Sequence, residues 1–115
     1  MGRLLMMAVS FWMVHTGVAV GASNKPTRFW NLTSATITNL QLSPVGQNSF
    51  GPNQCENDPD GAVDHDERLK IVGVATGRYD VKLTQKNGRT CIVHDVAVKD
   101  AAVFSIEEKD LTDCH

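Results

Sequence analysis

From Thr27 onward, apolar and polar residues alternate in short runs, the period-2 pattern of half-buried strands. Thr27–Leu32 (TRFWNL) and residues 35–43 (ATITNLQLS) are rich in β-branched and aromatic side chains, with Thr33-Ser34 between them. In the second run Thr36, Thr38, Leu40 and Leu42 fall on one face, and Pro44 stops it. Residues 46–67 carry turn chemistry throughout: Gly46, Gly51-Pro52-Asn53 and Asn57-Asp58-Pro59-Asp60-Gly61. Alternation resumes at 68–74 (RLKIVGV) through Leu69 and Ile71, and Val103–Glu107 (VFSIE) reads as a last strand after the turn at Lys99-Asp100-Ala101. No helical period runs anywhere from Thr27 on, beyond a single turn within 107–111. About six short strands with regularly spaced turns predict an all-β fold, a small antiparallel β-sandwich, with an open barrel as the next choice.

Residues 78–98 give the sharpest local expectation. Tyr79, Val81 and Leu83 alternate with Asp80, Lys82 and Thr84, and Asn87-Gly88 follows. Asn-Gly is the favoured centre of a two-residue type I′ hairpin turn, because both positions need φ > 0. That turn sets Thr84 opposite Cys91, Leu83 opposite Ile92, Val81 opposite His94, Asp80 opposite Asp95 and Tyr79 opposite Val96. Asp80 facing Asp95 is unfavourable by itself. Lys82, two residues along, is the expected counter-charge.

The start of the chain has a different texture. Arg3 precedes the apolar stretch 4–14 (LLMMAVSFWMV), and Val20 and Ala22 stand at the small-residue positions of a signal-peptidase site. Residues 1–22 therefore read as a signal peptide, leaving a single domain over 23–115 that is periplasmic or secreted. His15 and Thr16 break the apolar run short of a membrane span, so no stable insertion is expected after cleavage.

Eleven Lys and Arg against thirteen Asp and Glu give a formal charge of −2. That mild acidity argues against nucleic acid as a partner. The length leaves no room for a dinucleotide-binding or multi-domain enzyme.

Export places Cys55, Cys91 and Cys114 in an oxidising compartment. An odd number allows one bridge within the chain and leaves one thiol. Cys91–Cys114 is the expected pair, since it ties down a chain segment that would otherwise fray. Cys55, in the turn-rich segment, is the thiol left over.

His65, His94 and His115 show no zinc-type spacing with the cysteines, so copper or zinc binding ranks low. His94 is expected to be a hydrogen-bonded, partly buried ring. A small hydrolase using Asp80, Asp95 and His94 is the competing enzyme reading. No phosphate loop or nucleophile elbow is present, so the sequence predicts no catalytic residues. Asn31-Leu32-Thr33 matches a glycosylation acceptor, relevant only to a eukaryotic source.

Leu40-Gln41-Leu42-Ser43-Pro44, Phe50-Gly51-Pro52-Asn53 and Tyr79-Asp80-Val81-Lys82 together resemble a family of small exported bacterial β-sandwich proteins of uncharacterised function. Phe50 departs from the Trp expected there. The resemblance implies a periplasmic β-sandwich and brings no catalytic residue with it. The expected role is a monomeric binding or structural module whose partner is an envelope protein or ligand, met through sheet edges or the 44–55 loop.

Six of the twelve residues 56–67 are acidic, and none is Lys or Arg. Set against a twelve-residue calcium loop, Glu56, Asp58 and Asp60 fall at positions 1, 3 and 5, and Gly61 at 6. Ala62 at 7 offers its carbonyl, Asp64 stands at 9 and Glu67 at 12. Calcium is thus the one cofactor the sequence suggests. Glu at position 1, Pro59 and the missing flanking helices count against it. The alternative is a solvated acidic connection, with the protein acting through contacts with other proteins.

Overall fold

The computed structural model describes residues 25–115. The signal peptide expected at 1–22 lies outside them. Six strands form: β1 Thr27–Leu32, β2 Ile37–Pro44, β3 Arg68–Ile71, β4 Gly77–Gln85, β5 Thr90–Val98 and β6 Val103–Glu107. Single 3-10 turns occur at Gln54–Asn57 and Glu108–Asp110, the second inside the turn expected at 107–111. The strands make two three-stranded sheets, one ordered β3-β1-β6 and the other β2-β4-β5. No described helix is long and apolar enough to cross a membrane.

Not every pairing is antiparallel. β1 and β6 run parallel, with Arg28 beside Val103 and Leu32 beside Glu107. Alternation carries no strand direction, so sequence pattern alone could not distinguish this pair. The intervening chain builds the second sheet before β6 returns to the first, which is the long crossover a parallel pair requires.

One apolar core draws on both sheets: Phe29, Leu69, Ile71, Phe104 and Ile106 from the first, Ile37, Leu40, Leu42, Val81, Leu83 and Val98 from the second. In the first sheet the inward residues alternate with an outer row of Arg28, Trp30, Arg68, Lys70, Val103 and Ser105. In β2 the expected face changes. A register shift between Ile37 and Asn39 breaks the phase, so Ile37 and Leu40 are both fully buried while Thr36 and Thr38 are only partly covered. A bulge adds one residue and so transfers inward pointing from one parity to the other.

The β4–β5 hairpin departs from the type I′ expectation. The Gly88 N–H donates to the Gln85 carbonyl at 2.8 Å, and the Gln85 N–H to the Arg89 carbonyl at 2.8 Å. The loop is therefore Lys86-Asn87-Gly88. Only Gly88 takes a positive φ, +94°, while Asn87 does not. This is a turn followed by a glycine bulge, and it moves the inner register by one residue. Leu83 pairs with Cys91, Thr84 with Thr90 and Val81 with Val93. A second bulge restores the expected Tyr79–Val96 pair by setting His94 and Asp95 together opposite Asp80. Asp95 takes φ +59° there.

Cys91 and Cys114 are disulfide-bonded, with Cα atoms 4.0 Å apart, and Cys55 is free and buried. Residues 113–115 lie along the outer edge of β5. Thr90 and His115 exchange both backbone hydrogen bonds, and the Ile92 N–H reaches the Asp113 carbonyl. The bridge spans 23 residues. Closing a loop of that size stabilises a fold by about 3 kcal/mol in the chain-entropy model. Reduction, or Cys91→Ser with Cys114→Ser, is expected to lower the melting temperature accordingly. It should also raise amide exchange at Thr90 and Ile92 first, as read by hydrogen-exchange mass spectrometry.

Candidate functional site

Two places gather chemistry. The first is the bulge at Asp80. Its carboxylate is almost fully covered. Oδ2 accepts the Gly46 N–H at 3.0 Å, and Oδ1 accepts the Asp95 N–H at 3.1 Å. His94 Nδ1 lies 3.3 Å from the same Oδ1, and His94 Nε2 lies 3.2 Å from Asp113 Oδ2. Arg78 pairs with Asp95 through its Nε and reaches the Asp95 carbonyl through Nη2.

Asp80 and Asp95 thus sit side by side, as expected, but Asp80 is relieved by backbone N–H groups and His94, and Asp95 by Arg78. Lys82 is elsewhere, its ammonium 5.1 Å from the Phe50 ring centroid. His94 is exposed rather than partly buried, because the bulge turns it outward. Gly46 in an αL turn and Asp113 just before Cys114 had no local signal tying them to Asp80.

The charges reinforce one another. The Gly46 N–H, then those of Asp95 and His94, hold the Asp80 carboxyl below the usual carboxylate range against its burial. Hydrogen bonds to Asp113 and Asp80 raise the His94 imidazole above its ordinary value. Both groups favour their charged forms, which suits an ion pair. A general base would need the imidazole neutral near pH 7.

The second place is a cleft of about 510 Å³ lined by Leu42, Pro44, Pro52, Val72, Val74 and Tyr79, with Ser49 and Gln54 among its polar edges. The Gln54 side chain builds one wall. Its Oε1 accepts the Val72 N–H and its Nε2 donates to the Val72 carbonyl, both at 3.0 Å, as a neighbouring strand would. The Tyr79 hydroxyl is satisfied by the Ala75 carbonyl at 2.7 Å. Leu42 and Gly51 are joined by a backbone hydrogen bond of 3.0 Å, which fixes the loop over β2. Asp80 follows Tyr79 directly, so strand alternation points its carboxylate away from the cleft.

The 56–67 loop is tied by the protein itself. Asp58 Oδ2 accepts the Asp60 N–H, Glu67 Oε1 accepts the Asp64 N–H, and Asp64 Oδ1 accepts the Thr36 hydroxyl, each at 2.8 Å. Gly61 turns the chain with φ +71°, and the bridge between Ile37 and Val63 buries Val63. Glu56 lies within the 3-10 turn, one residue past the buried Cys55. Among the described residues, no three His, Cys, Asp or Glu side chains gather so as to hold a metal. An ion would have to share carboxylates already engaged as acceptors, with Ala62 supplying its carbonyl.

Cys55 is the thiol left over, as expected, but it belongs to the core. Its Sγ is 3.6 Å from the Ile37 carbonyl. Burial, and then the nearby Asp58 charge, push its pKa up to about 11. Asn31, the acceptor of the Asn-Leu-Thr match, is fully buried and bonded to Ala35 and Val63 carbonyls. Comparison with protein-family models, curated proteins and solved structures returns no match.

The His94 bridge makes a definite pH prediction. The folded pKa of His94 is raised from 6.5, so its contribution is complete below about 6.5 and is lost as pH rises through the folded value. The folded pKa of Asp80 is lowered from 3.8, so its contribution is present above that and is lost in stronger acid. Stability is expected to be highest between these limits. His94→Gln should flatten the decline in melting temperature above pH 6.5 and leave the acid limb in place, as read by calorimetry across pH 3–9.

Proposed function

We propose that the chain is an exported, periplasmic or secreted, monomeric β-sandwich that acts as a non-catalytic binding module. The cleft between the 44–54 loop and residues 72–74 receives an extended apolar segment of an envelope partner. The observation that carries this reading is the cleft itself. It is an apolar concavity whose wall is stiffened by the two Gln54–Val72 hydrogen bonds. Concave, mostly apolar sites with a few fixed polar groups are the usual form of a binding pocket. The disulfide fits an exported protein.

A hydrolase built on Asp80, His94 and Asp95 draws less support. Asp80 pairs with His94 and Asp95 with Arg78, and none of the three lines the cleft. Soft-metal binding draws less still, since Cys55 is buried and Cys114 is bridged.

N-phenyl-1-naphthylamine should bind the folded protein with fluorescence enhancement and one-to-one stoichiometry. Ser49→Trp, which places a large ring at the cleft edge, should remove that binding while the melting temperature moves by no more than a few degrees. Absence of binding, or binding that Ser49→Trp leaves unchanged, would refute the cleft as the site.

For the 56–67 loop we favour the protein-tied acidic connection over the calcium reading. Melting curves in EDTA and in millimolar CaCl₂ are expected to coincide. An upward shift in CaCl₂ that Glu67→Gln abolishes would instead assign an ion to Glu56, Asp58, Asp60, Ala62, Asp64 and Glu67. A shift of about 1.4 kcal/mol corresponds to calcium at ten times its Kd.

A further inference from the structure

The outer face of the β3-β1-β6 sheet carries charges that folding does not need. Arg28 on β1 lies directly opposite Lys70 on β3, and Trp30 lies opposite Arg68. Like charges directly across a ladder are destabilising. Neither the Arg28 guanidinium nor the Lys70 ammonium has an ion-pair partner among the described residues. The Arg68 guanidinium carbon lies over the Trp30 indole, 4.1 Å from its centroid, and the Trp30 Nε1–H donates to Asp66 at 2.9 Å. Asp100 stands at the Thr27 end of the face, where its carboxylate accepts the Thr27 hydroxyl at 3.2 Å, and Glu107 is at the far end beside Leu32.

The same end of this face carries exposed aliphatic groups. Val103 is the neighbour of Arg28 on β6, and Val72 follows β3 two residues past Lys70 on the same parity. They are 49 % and 53 % exposed, and with Val45 they make up the large hydrophobic residues that stand exposed among the described residues. A row of two uncompensated cations flanked by two bare valines presents charge and grease together at one end of a sheet.

We propose that this end of the β3-β1-β6 sheet is a peripheral docking surface for an anionic phospholipid bilayer. Arg28 and Lys70 meet lipid phosphates, and Val72 and Val103 enter the headgroup layer. Charge complementarity selects an anionic partner. The flanking valines favour a bilayer over a soluble polyanion, which would have no use for them. The indole is already covered by Arg68, so it is not free to stack on a sugar ring. Basic residues near an anionic leaflet attract it at close range and are screened by salt. The acidic chain as a whole would be held by this face alone, with the Val72 lip of the cleft turned toward the membrane.

The test is sedimentation of the full chain, as processed by the expressing cell, with vesicles of phosphatidylcholine alone and with 30 % phosphatidylglycerol. Binding is expected only to the anionic vesicles, and it should fall steeply in 0.5 M NaCl. Arg28→Gln with Lys70→Gln should weaken partitioning about 25-fold, roughly fivefold for each cation, with no loss of melting temperature. Val103→Asp should weaken it further. All variants keep the same N-terminus, so binding through residues 1–22 would survive them and overturn the proposal. Equal binding to both vesicle types would overturn it, as would displacement by 10 mM inorganic phosphate, which marks a simple phosphate site. Retention on a soluble polyanion without vesicle binding would also overturn it. The lipid and salt arms use unaltered protein and decide the matter even if a variant misfolds.

Discussion

Three side-chain amides stand in for strand partners that the chain does not supply, and the arrangement of both sheets rests on them. Asn31 is fully buried in β1. Its Nδ2 donates to the Ala35 and Val63 carbonyls, and its Oδ1 accepts from the Thr33 N–H and hydroxyl. Asn53 does the same for the edge of β2, accepting the Leu40 N–H and donating to the Thr38 carbonyl. Gln54 completes the trio at Val72. A buried donor or acceptor left without a partner costs about 1–3 kcal/mol. Small sheets with long connections would otherwise leave many such groups. Among the described residues, only Gln85 Nε2 remains as a buried side-chain polar atom without a partner.

This dependence explains what the sequence could and could not disclose. Strand positions were legible, because burial on one face leaves a period-2 trace in residues such as Leu69–Ile71 and Phe104–Ile106. β1 and β6 were readable to the residue. The Cys91–Cys114 bridge was legible too, since an end segment gains most from a tether. Phase was not. Ile37 and Leu40 share the core only because a register shift intervenes, and Asn87 keeps a negative φ although Asn-Gly favours the opposite. Neither choice is local, because each follows from which partner residues pack best on the far side of the core.

The candidate site was harder still to foresee. Its lining joins Leu42 and Pro52 to Val72 and Tyr79, residues that sequence separates and only long-range pairing assembles. The 44–55 segment was recognisable as a loop by its turn residues, yet nothing marked Gln54 as its organiser. The acidic run at 56–67 shows the converse. Its spacing matches an ion loop, and in the fold Asp58 and Glu67 each accept an N–H of the same loop. The same oxygen chemistry serves both purposes, so spacing alone does not distinguish them.

The burial of Cys55 has a consequence for how the chain matures. Three thiols allow three pairings, and only one is native. Exchange proceeds through the thiolate. Moving the Cys55 pKa from 9.0 to about 11 leaves about a hundredfold fewer thiolates at neutral pH. Once the core closes over Cys55, wrong bridges to it can neither form nor reshuffle at a useful rate. The apolar core acts as the proofreader of the covalent bond, and a core substitution that loosened the Ile37–Cys55 contact would appear as scrambled disulfides before it appeared as lost secondary structure.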